Sequence, residues 1–538
     1  YDIVFGDWSS DVCSSDLSAL YGTSALGGIV NIITAEPKED YNIKFRVFSG
    51  IYTKPRYKQW EYSDALHNEI GINAGYYQKL DKFGISLTGE IFKDESFQLF
   101  QESFRWNIFS KFKYEITQKT SASLSLNYSA EDRDDWVYWK SLEFATFPPD
   151  NLDENDKIIS KRTNAVAEIN HIFDENIFIN IKSGLYFTSF KNNYSEKDVN
   201  YRASDAYSYN TEVQLNTRIN SSIFWTNGIN FISNIVDSKM YNGNNNQIIS
   251  SFYSQGEYNY QNTLITTLGA RFDYESTKDA ESNLQLSPKL GIAYAAIENL
   301  NFRFSIGKGF RSPTVAERFA SLPYSGFEVI QNTSLKPERS WSFEIGSNYQ
   351  INILGNHFIF DLSAFQNEMY DLIEPSFVES ASLKIQFQNV TRARIRGLEF
   401  GIKGFLFDFI GLETSLTAME PMDLTLNETL KYRSKFLWYT RLMIPLNYVE
   451  LQMDYRYKSR IENIDVRLGL PGGIQDADKR VEYHILDARL ILNIDKVFAI
   501  PLKATLFAKN ILDYYYTEMV GNLGPTRFIG LQIEGNIK

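Results

Sequence analysis

The chain has 538 residues, 43% hydrophobic and 15% aromatic, with a formal net charge of −12, an acidic total that argues against nucleic acid because phosphate binding asks for a basic face. Mean hydropathy is negative and no apolar run approaches the roughly 18 residues of a spanning helix, so helical membrane spans are excluded. A single Cys13 and four scattered histidines (His67, His171, His357, His484) permit no internal disulfide and no metal-ligand spacing, so neither metal nor cofactor is expected.

Residues 1–17 lack a β-pattern, and Asp7 to Leu17 read either as a short leader or as translated adapter sequence fused to a truncated gene, with Cys13 then an artefact. Ser18 to Thr34 holds Gly27 and Gly28 between a small-residue turn and the apolar run Ile29 to Ile33. That arrangement suits close backbone approach of a strand packed on a wall, or an ordinary tight turn.

From about Tyr41 onward, alternating β-patterns follow one another to the C-terminus. Strands are expected near 42–50, 67–80, 84–97, 102–116, 120–130, 158–173, 177–190, 205–218, 223–236, 247–261 and 264–275. The second half continues near 284–296, 300–308, 338–352, 356–368, 383–406, 409–419, 430–444, 447–459, 481–495, 502–510 and 525–538. In Val449 to Lys458 every odd position is apolar or aromatic and every even one charged or amide. About ten residues cross a bilayer when tilted, and backbone groups there must be paired by neighbouring strands, which favours a closed transmembrane barrel over a soluble sandwich. The fold class expected is all-β: an antiparallel transmembrane β-barrel of about 22 strands. Very short turns such as Leu80 to Phe83 and Asp174 to Asn176 alternate with long segments such as 131–157, 309–337 and 460–480, as in barrels with turns on one side of the membrane and loops on the other.

Parity assigns faces. Around Glu344 the residues Trp341, Phe343 and Ile345 share one face, and around Glu399 so do Leu398 and Phe400, so both carboxylates point into the lumen. Each needs a cation or water there. The long segment Glu131 to Lys140 combines acids with Trp136, Tyr138 and Trp139. It is either a surface for stacking on a siderophore, corrinoid or sugar, or an aromatic belt running into a solvated loop. Arg311, with Arg318 and Lys336, stands near another outer loop and could attract an anionic ferric chelate, or be solvated. No phosphate loop, Gly-x-Ser-x-Gly elbow or His-Glu-x-x-His helix is present and no acid, base and nucleophile set assembles, so no enzyme is expected.

Four segments in order carry a resemblance to a known family. They are Ser18-Ala19-Leu20-Tyr21-Gly22 through Gly27-Gly28 to Thr34; Gly309 to Phe319 with Asn332 through Leu335-Lys336-Pro337-Glu338 to Gly346; Asn389-Val390 through Arg396-Gly397-Leu398-Glu399; and Asn510 to Asp513 through Gly524-Pro525-Thr526-Arg527. Together they resemble the TonB-dependent outer-membrane receptors, the first segment matching the end of the plug domain and the others the barrel. The resemblance implies a plug remnant at 18–40, a 22-stranded barrel at 41–538, and most of the plug, the TonB-binding box and the signal peptide missing from this chain. It further implies a monomer in the outer membrane of a Gram-negative bacterium. Its partners would be the TonB complex through the missing plug segment, outer-membrane lipid and a small-molecule metal chelate or corrinoid. In that family the inward barrel glutamates, here Glu344 and Glu399, pair with plug arginines, and Gly27 and Gly28 lie at the plug-barrel contact. The expected function is active uptake of a scarce nutrient, a ferric siderophore or vitamin B12; a passive porin or a surface-binding barrel is the alternative.

Overall fold

Strict alternation gives each segment one apolar and one polar face and leaves both its edges with unpaired backbone groups, a state relieved only when every segment finds two neighbours. The computed structural model describes residues 41–134, 136–150, 157–192, 203–324, 327–353, 355–378, 384–407, 409–469 and 473–538. Segments 1–17 and 18–40, with Gly27 and Gly28, lie outside the described residues.

The described chain forms a closed antiparallel barrel of 22 strands. In chain order these are β1 (Asn42–Tyr52), β2 (Asn68–Leu80), β3 (Phe83–Asp94), β4 (Ser103–Thr117), β5 (Thr120–Asp134), β6 (Lys157–Ile172), β7 (Ile177–Asn192), β8 (Ala203–Arg218), β9 (Ile223–Ser238), β10 (Gly243–Tyr260) and β11 (Leu264–Thr277). They continue as β12 (Asn283–Ile297), β13 (Leu300–Arg311), β14 (Glu338–Ile353), β15 (Asn356–Phe377), β16 (Lys384–Leu406), β17 (Ile410–Asp423), β18 (Phe436–Pro445), β19 (Val449–Lys458), β20 (Tyr483–Asn493), β21 (Leu502–Lys509) and β22 (Phe528–Ile537). Each pairs with its sequence neighbours, and β1 closes on β22 from Ile43↔Ile537 to Tyr52↔Phe528. All 22 expected strands are present.

One end carries tight turns and the other long loops. At the turn end Asp81 and Gly355 adopt φ of 51° and 83°, the left-handed conformation a short hairpin connection needs. Apolar side chains on the outer face are left uncovered by protein, Leu268, Ile345 and Leu398 being 65%, 60% and 59% exposed. No described helix is long and apolar enough to cross a membrane. Lining the lumen are polar and charged residues from the opposite parity.

Glycines let the wall pack closely. Gly71, Gly228, Gly256, Gly397, Gly404, Gly530 and Gly535 each stand directly across from an aromatic residue on the neighbouring strand, Phe48, Tyr253, Trp225, Phe365, Phe358, Phe507 and Phe45 respectively. A Cβ at any of them would meet that ring at 2.1–2.8 Å. The missing side chain is the seat of the ring, the cross-strand device that compensates a strand glycine.

Two strand boundaries depart most from the sequence reading, and one short helix is added to it. Expected to end near 368, β15 runs to Phe377 through an irregularity in its pairing between Met369 and Leu372 where Asp371 takes φ of 57°. The strand expected from 430 starts at Phe436, because Tyr432 turns left-handed with φ of 60°. Inside the loop between β13 and β14 lies a short helix, α1 (Val315–Phe319), capped reciprocally by Thr314 and Glu317.

Candidate functional site

At the loop end five loops pack on one another. Their shared apolar core is Trp60 from the loop after β1, Trp136, Trp139 and Ala145 from the loop after β5, and Leu523 from the loop after β21, with Phe97, Phe100 and Tyr515 against it. Trp139 is fully buried; its backbone N–H donates to the Gly521 carbonyl at 2.6 Å and its Nε1 to the Gln475 carbonyl at 2.9 Å. Trp136 Nε1 donates to the Leu99 carbonyl at 2.8 Å, and Trp60 Nε1 to the Leu142 carbonyl at 3.1 Å. The Trp136 and Trp139 rings are therefore spent on holding loops together rather than displayed. Tyr138 is half-buried beside Gly521 and Ile474, and burial pushes its phenol pKa up.

The loop between β19 and β20 ties this cluster to the far side of the mouth. It meets the loop after β5 through Gln475 and through Asp476, whose Oδ2 accepts from the Leu142 N–H at 3.0 Å. Its other half reaches the top of β15, where Arg467 lies over the Phe377 ring at 4.6 Å, and the loop after β17, where Lys431 stands 3.4 Å from Asp465. In a ring of 22 strands, β5 and β15 stand roughly opposite each other. This loop thus bridges part of the opening.

Asp465 is its anchor. Arg467 donates to both carboxylate oxygens, Nε at 2.9 Å and Nη2 at 2.6 Å. Burial would raise the Asp465 pKa, but the Arg467 hydrogen bonds and the Lys431 charge outweigh it and push the group down to about 2. A carboxylate held below its unfolded value near 3.9 stabilises the loop fully above that pH and loses its contribution as pH falls through about 2. Hydrogen exchange of residues 459–469, corrected for the intrinsic rate, is expected to stay slow down to pH ~4 and to rise steeply below it. Asp465→Asn should exchange fast at every pH; a flat profile in the parent chain would refute the anchor.

In the lumen, Glu344 on β14 accepts from Arg303 Nε at 2.9 Å, and the same guanidinium grips Asp361 on β15 with Nη1 at 2.7 Å and Nη2 at 2.9 Å. Gly346 makes room, since a Cβ there would lie 2.7 Å from Arg303 Cζ. Glu399 on β16 also faces inward, 3.4 Å from Ser363 Oγ, and has no ion pair among the described residues. Glu344 and Glu399 are thus near one another on the wall, with a barrel arginine engaged by the first. Arg303 went unnoticed in the sequence, although its place between Phe302 and Phe304 fixes its inward parity.

Arg311 sits at the top of β13, where it donates to both oxygens of Glu317 at 2.9 and 3.0 Å and to Glu338. Arg318 is buried under the same loop, donating to the Leu335 and Thr333 carbonyls at 2.8 and 3.3 Å. Both arginines fasten α1 to the wall. The four outer-loop residues Trp136, Tyr138, Trp139 and Arg311 do not form one surface: the first three belong to the loop cluster and Arg311 to the α1 clasp. Among the described residues no group of three or more His, Cys, Asp or Glu converges on a metal-sized site.

A family model described as TonB dependent receptor-like, beta-barrel, matches residues 56–490. The chain belongs to the TonB-dependent receptor family. Its family and fold are those of transporters and receptors rather than enzymes, and such barrels lie in the outer membrane of Gram-negative bacteria. In barrels of this kind the end with tight turns faces the periplasm and the end with long loops the exterior. The siderophore receptor PirA from Pseudomonas aeruginosa superposes with a TM-score of 0.72 at 16% identity, covering 97% of this chain and 84% of that one. A variant of the ferric enterobactin receptor PfeA from the same organism gives 0.78 at 14%, covering 96% and 83%. At these identities the likeness is one of fold. Among curated relatives, heme/hemopexin utilization protein C of Haemophilus influenzae (strain 86-028NP) is 25% identical over 158 residues, 25% of this receptor chain and 22% of that protein's length. A probable hemoglobin and hemoglobin-haptoglobin-binding protein 3 of the same species (strain ATCC 51907) is 32% identical over 134 residues, 23% of this chain and 12% of its own. The chain thus matches less than a quarter of either relative.

Proposed function

We propose that the protein is the barrel of an active outer-membrane importer for an iron-bearing small molecule, in first place a ferric siderophore. The observation that carries this reading is the family match over 56–490 on a closed 22-strand wall with an aromatic, loop-bridged outer mouth. Such a mouth can enclose a ligand of siderophore size, and the inward charges Glu344, Asp361, Arg303 and Glu399 offer a polar bore for a plug to seat in. In this reading Glu344 and Glu399 meet the plug, Gly27 and Gly28 pack its last strand on the wall, and energy comes from the TonB complex through plug sequence of the whole protein. The importer works as a monomer. Tyr138, half-buried at the edge of the loop cluster, remains the outer-loop aromatic able to touch a ligand without dismantling the cluster.

Heme is a second reading, favoured by the names of the curated relatives. Heme iron takes His, Tyr, Met or Cys as axial ligand. Of the four histidines, His171 and His357 lie by the periplasmic turns and His484 stands among Tyr455, Tyr457 and Tyr514. His67 alone is in the outer loops, stacked on Tyr62 at 4.5 Å, and its Nε2 has no hydrogen-bond partner. Burial lowers its pKa, against Glu95 and Glu102, so the ring is neutral at neutral pH; its Nε2 is itself buried, so ligation in this reading requires the loop to open.

The test is growth of an iron-starved strain in which the complete gene is the only receptor, supplied with ferric siderophores, heme or, in a cobalamin auxotroph, vitamin B12. Growth on a ferric siderophore that requires TonB supports the first reading. Growth on heme alone, lost in His67→Ala, would replace it with the second, and growth on vitamin B12 alone would replace both. Uptake independent of TonB would make the protein a passive porin.

A further inference from the structure

Two acids meet at the loop ends of β2 and β3. Glu69 and Asp94 are directly paired across the ladder and share the inward face with buried Tyr52 of β1, whose hydroxyl stands 3.4 Å from Glu69 Oε2 and 3.3 Å from Asp94 Oδ2. Lys93 and Asp132 face outward at this height, so the group stands above the level of the lipid chains. Neither carboxylate has an ion pair among the described residues. Lys93 is held by Glu95 at 2.9 Å, and Arg105 on β4 by Glu90 at 2.9 Å. Lys509 on β21 acts on Asp94 through its charge alone and lies over the Phe507 and Phe528 rings. The neighbouring ends of β4 and β5 add further acids, Glu102 and Asp134, the latter 3.7 Å from Lys157.

One hydroxyl proton cannot serve two carboxylates at once. With both acids ionised, Tyr52 answers one and leaves the other facing a like charge in a buried place. A proton added at Asp94 Oδ2 completes the chain: the acid donates to the Tyr52 oxygen and Tyr52 donates to Glu69. Burial pushes the Tyr52 phenol up, so it remains a donor. Burial, with the Glu69 charge, outweighs the Ser96 and Tyr52 hydrogen bonds and the Lys509 charge and holds the Asp94 carboxyl up at about 6. The other oxygen of Asp94 serves the loop after β3. Oδ1 accepts the Ser96 N–H at 2.8 Å, where Ser96 takes φ of 58°. That turn sends Phe97 and Phe100 against the Trp60, Trp136 and Trp139 core, with the Phe97 ring 5.6 Å from that of Tyr52.

We propose that Glu69 and Asp94 share one proton across Tyr52 and that this proton fastens the loop of residues 95–102, so that the outer loop cluster tightens as the medium turns from neutral to mildly acidic. A carboxyl held above its unfolded value near 3.9 stabilises the closed loop fully below that pH, and the contribution is lost as pH rises through about 6. Asp465 works in the opposite sense, its contribution falling away only in strong acid. The latch does not depend on which ligand the receptor imports.

The test is hydrogen exchange of residues 95–102 in the full chain folded in detergent, compared at about pH 7 and about pH 5 and corrected for the intrinsic rate. The expected result is exchange about tenfold slower at the lower pH, with residues 459–469 unchanged over the same interval. Asp94→Asn places a neutral group there at every pH and should flatten the profile. Glu69→Gln removes the facing charge but not the burial, and should reduce the dependence without abolishing it. Equal exchange at the two pH values in the parent chain, or faster exchange at the lower one, would overturn the proposal without recourse to any variant. Undiminished dependence in either folded variant would also overturn it, placing the titrating group elsewhere.

Discussion

Trp139→Ala should open the loop cluster while leaving the barrel standing. The ring is fully buried among Trp60, Trp136, Ala145 and Leu523, and replacing a buried tryptophan by alanine costs about 3–5 kcal/mol in a packed core. That loss falls on a unit outside the hydrogen-bonded wall, whose 22 strands keep every ladder. The expected readout is a large rise in protease nicking within residues 136–150 and 510–527, with the cold, folded barrel still migrating as a compact band in unheated gels. Trp139→Phe keeps an aromatic ring but gives up the Nε1 bond to the Gln475 carbonyl and part of the indole volume, so its nicking should fall between that of the parent and that of Trp139→Ala. A Trp139→Ala chain nicked no faster than the parent would show that the loops are held by backbone hydrogen bonds and not by this ring.

That burial is also where sequence reading met its limit. Alternation made the wall legible because parity is a property of neighbouring residues: all 22 strands, the inward aim of Glu344 and Glu399 and the outward aim of Leu398 follow from counting by two. The loops have no such period. Trp136, Tyr138 and Trp139 read as a displayed aromatic surface, yet the groups that bury Trp139, Gly521 and Gln475, lie more than 300 positions away in sequence. Arg311 is legible as a charge at the end of a strand, but its partners depend on a capping box that places Glu317 and on a register that places Glu338 opposite. The extension of β15 was hidden by Asp371 and Pro375, residues that normally end a strand and here are absorbed by an irregular pairing. Long-range register thus decides the site, whereas short-range pattern decides the fold.

The glycine-aromatic pairs join the two levels, and Gly228→Val is the substitution expected to damage the wall most. Tyr253 stands directly opposite Gly228, is only 1% exposed, and donates from its hydroxyl to Glu212 at 2.7 Å; a Cβ at 228 would sit 2.1 Å from the ring. Strand backbones cannot move apart to relieve the clash without breaking ladder bonds to β8, β10 and β11, so the ring must leave its seat. Overpacking of this kind costs about 1–3 kcal/mol, and loss of a hydrogen bond to a charged group adds about 1.5–3 kcal/mol. Displacing the ring also disturbs Arg271, whose guanidinium lies over it at 5.4 Å while its Nε donates to Asp273. Urea unfolding in lipid vesicles should show the midpoint lowered, with refolding yield reduced in parallel. The decisive comparison is the double variant Gly228→Val with Tyr253→Ala. Because the valine then occupies space the ring has vacated, it should be markedly more stable than the sum of the two single losses predicts. Strict additivity would mean that the glycine is not the seat of the ring, and that the seven pairs around the wall are a coincidence of register rather than its fastening.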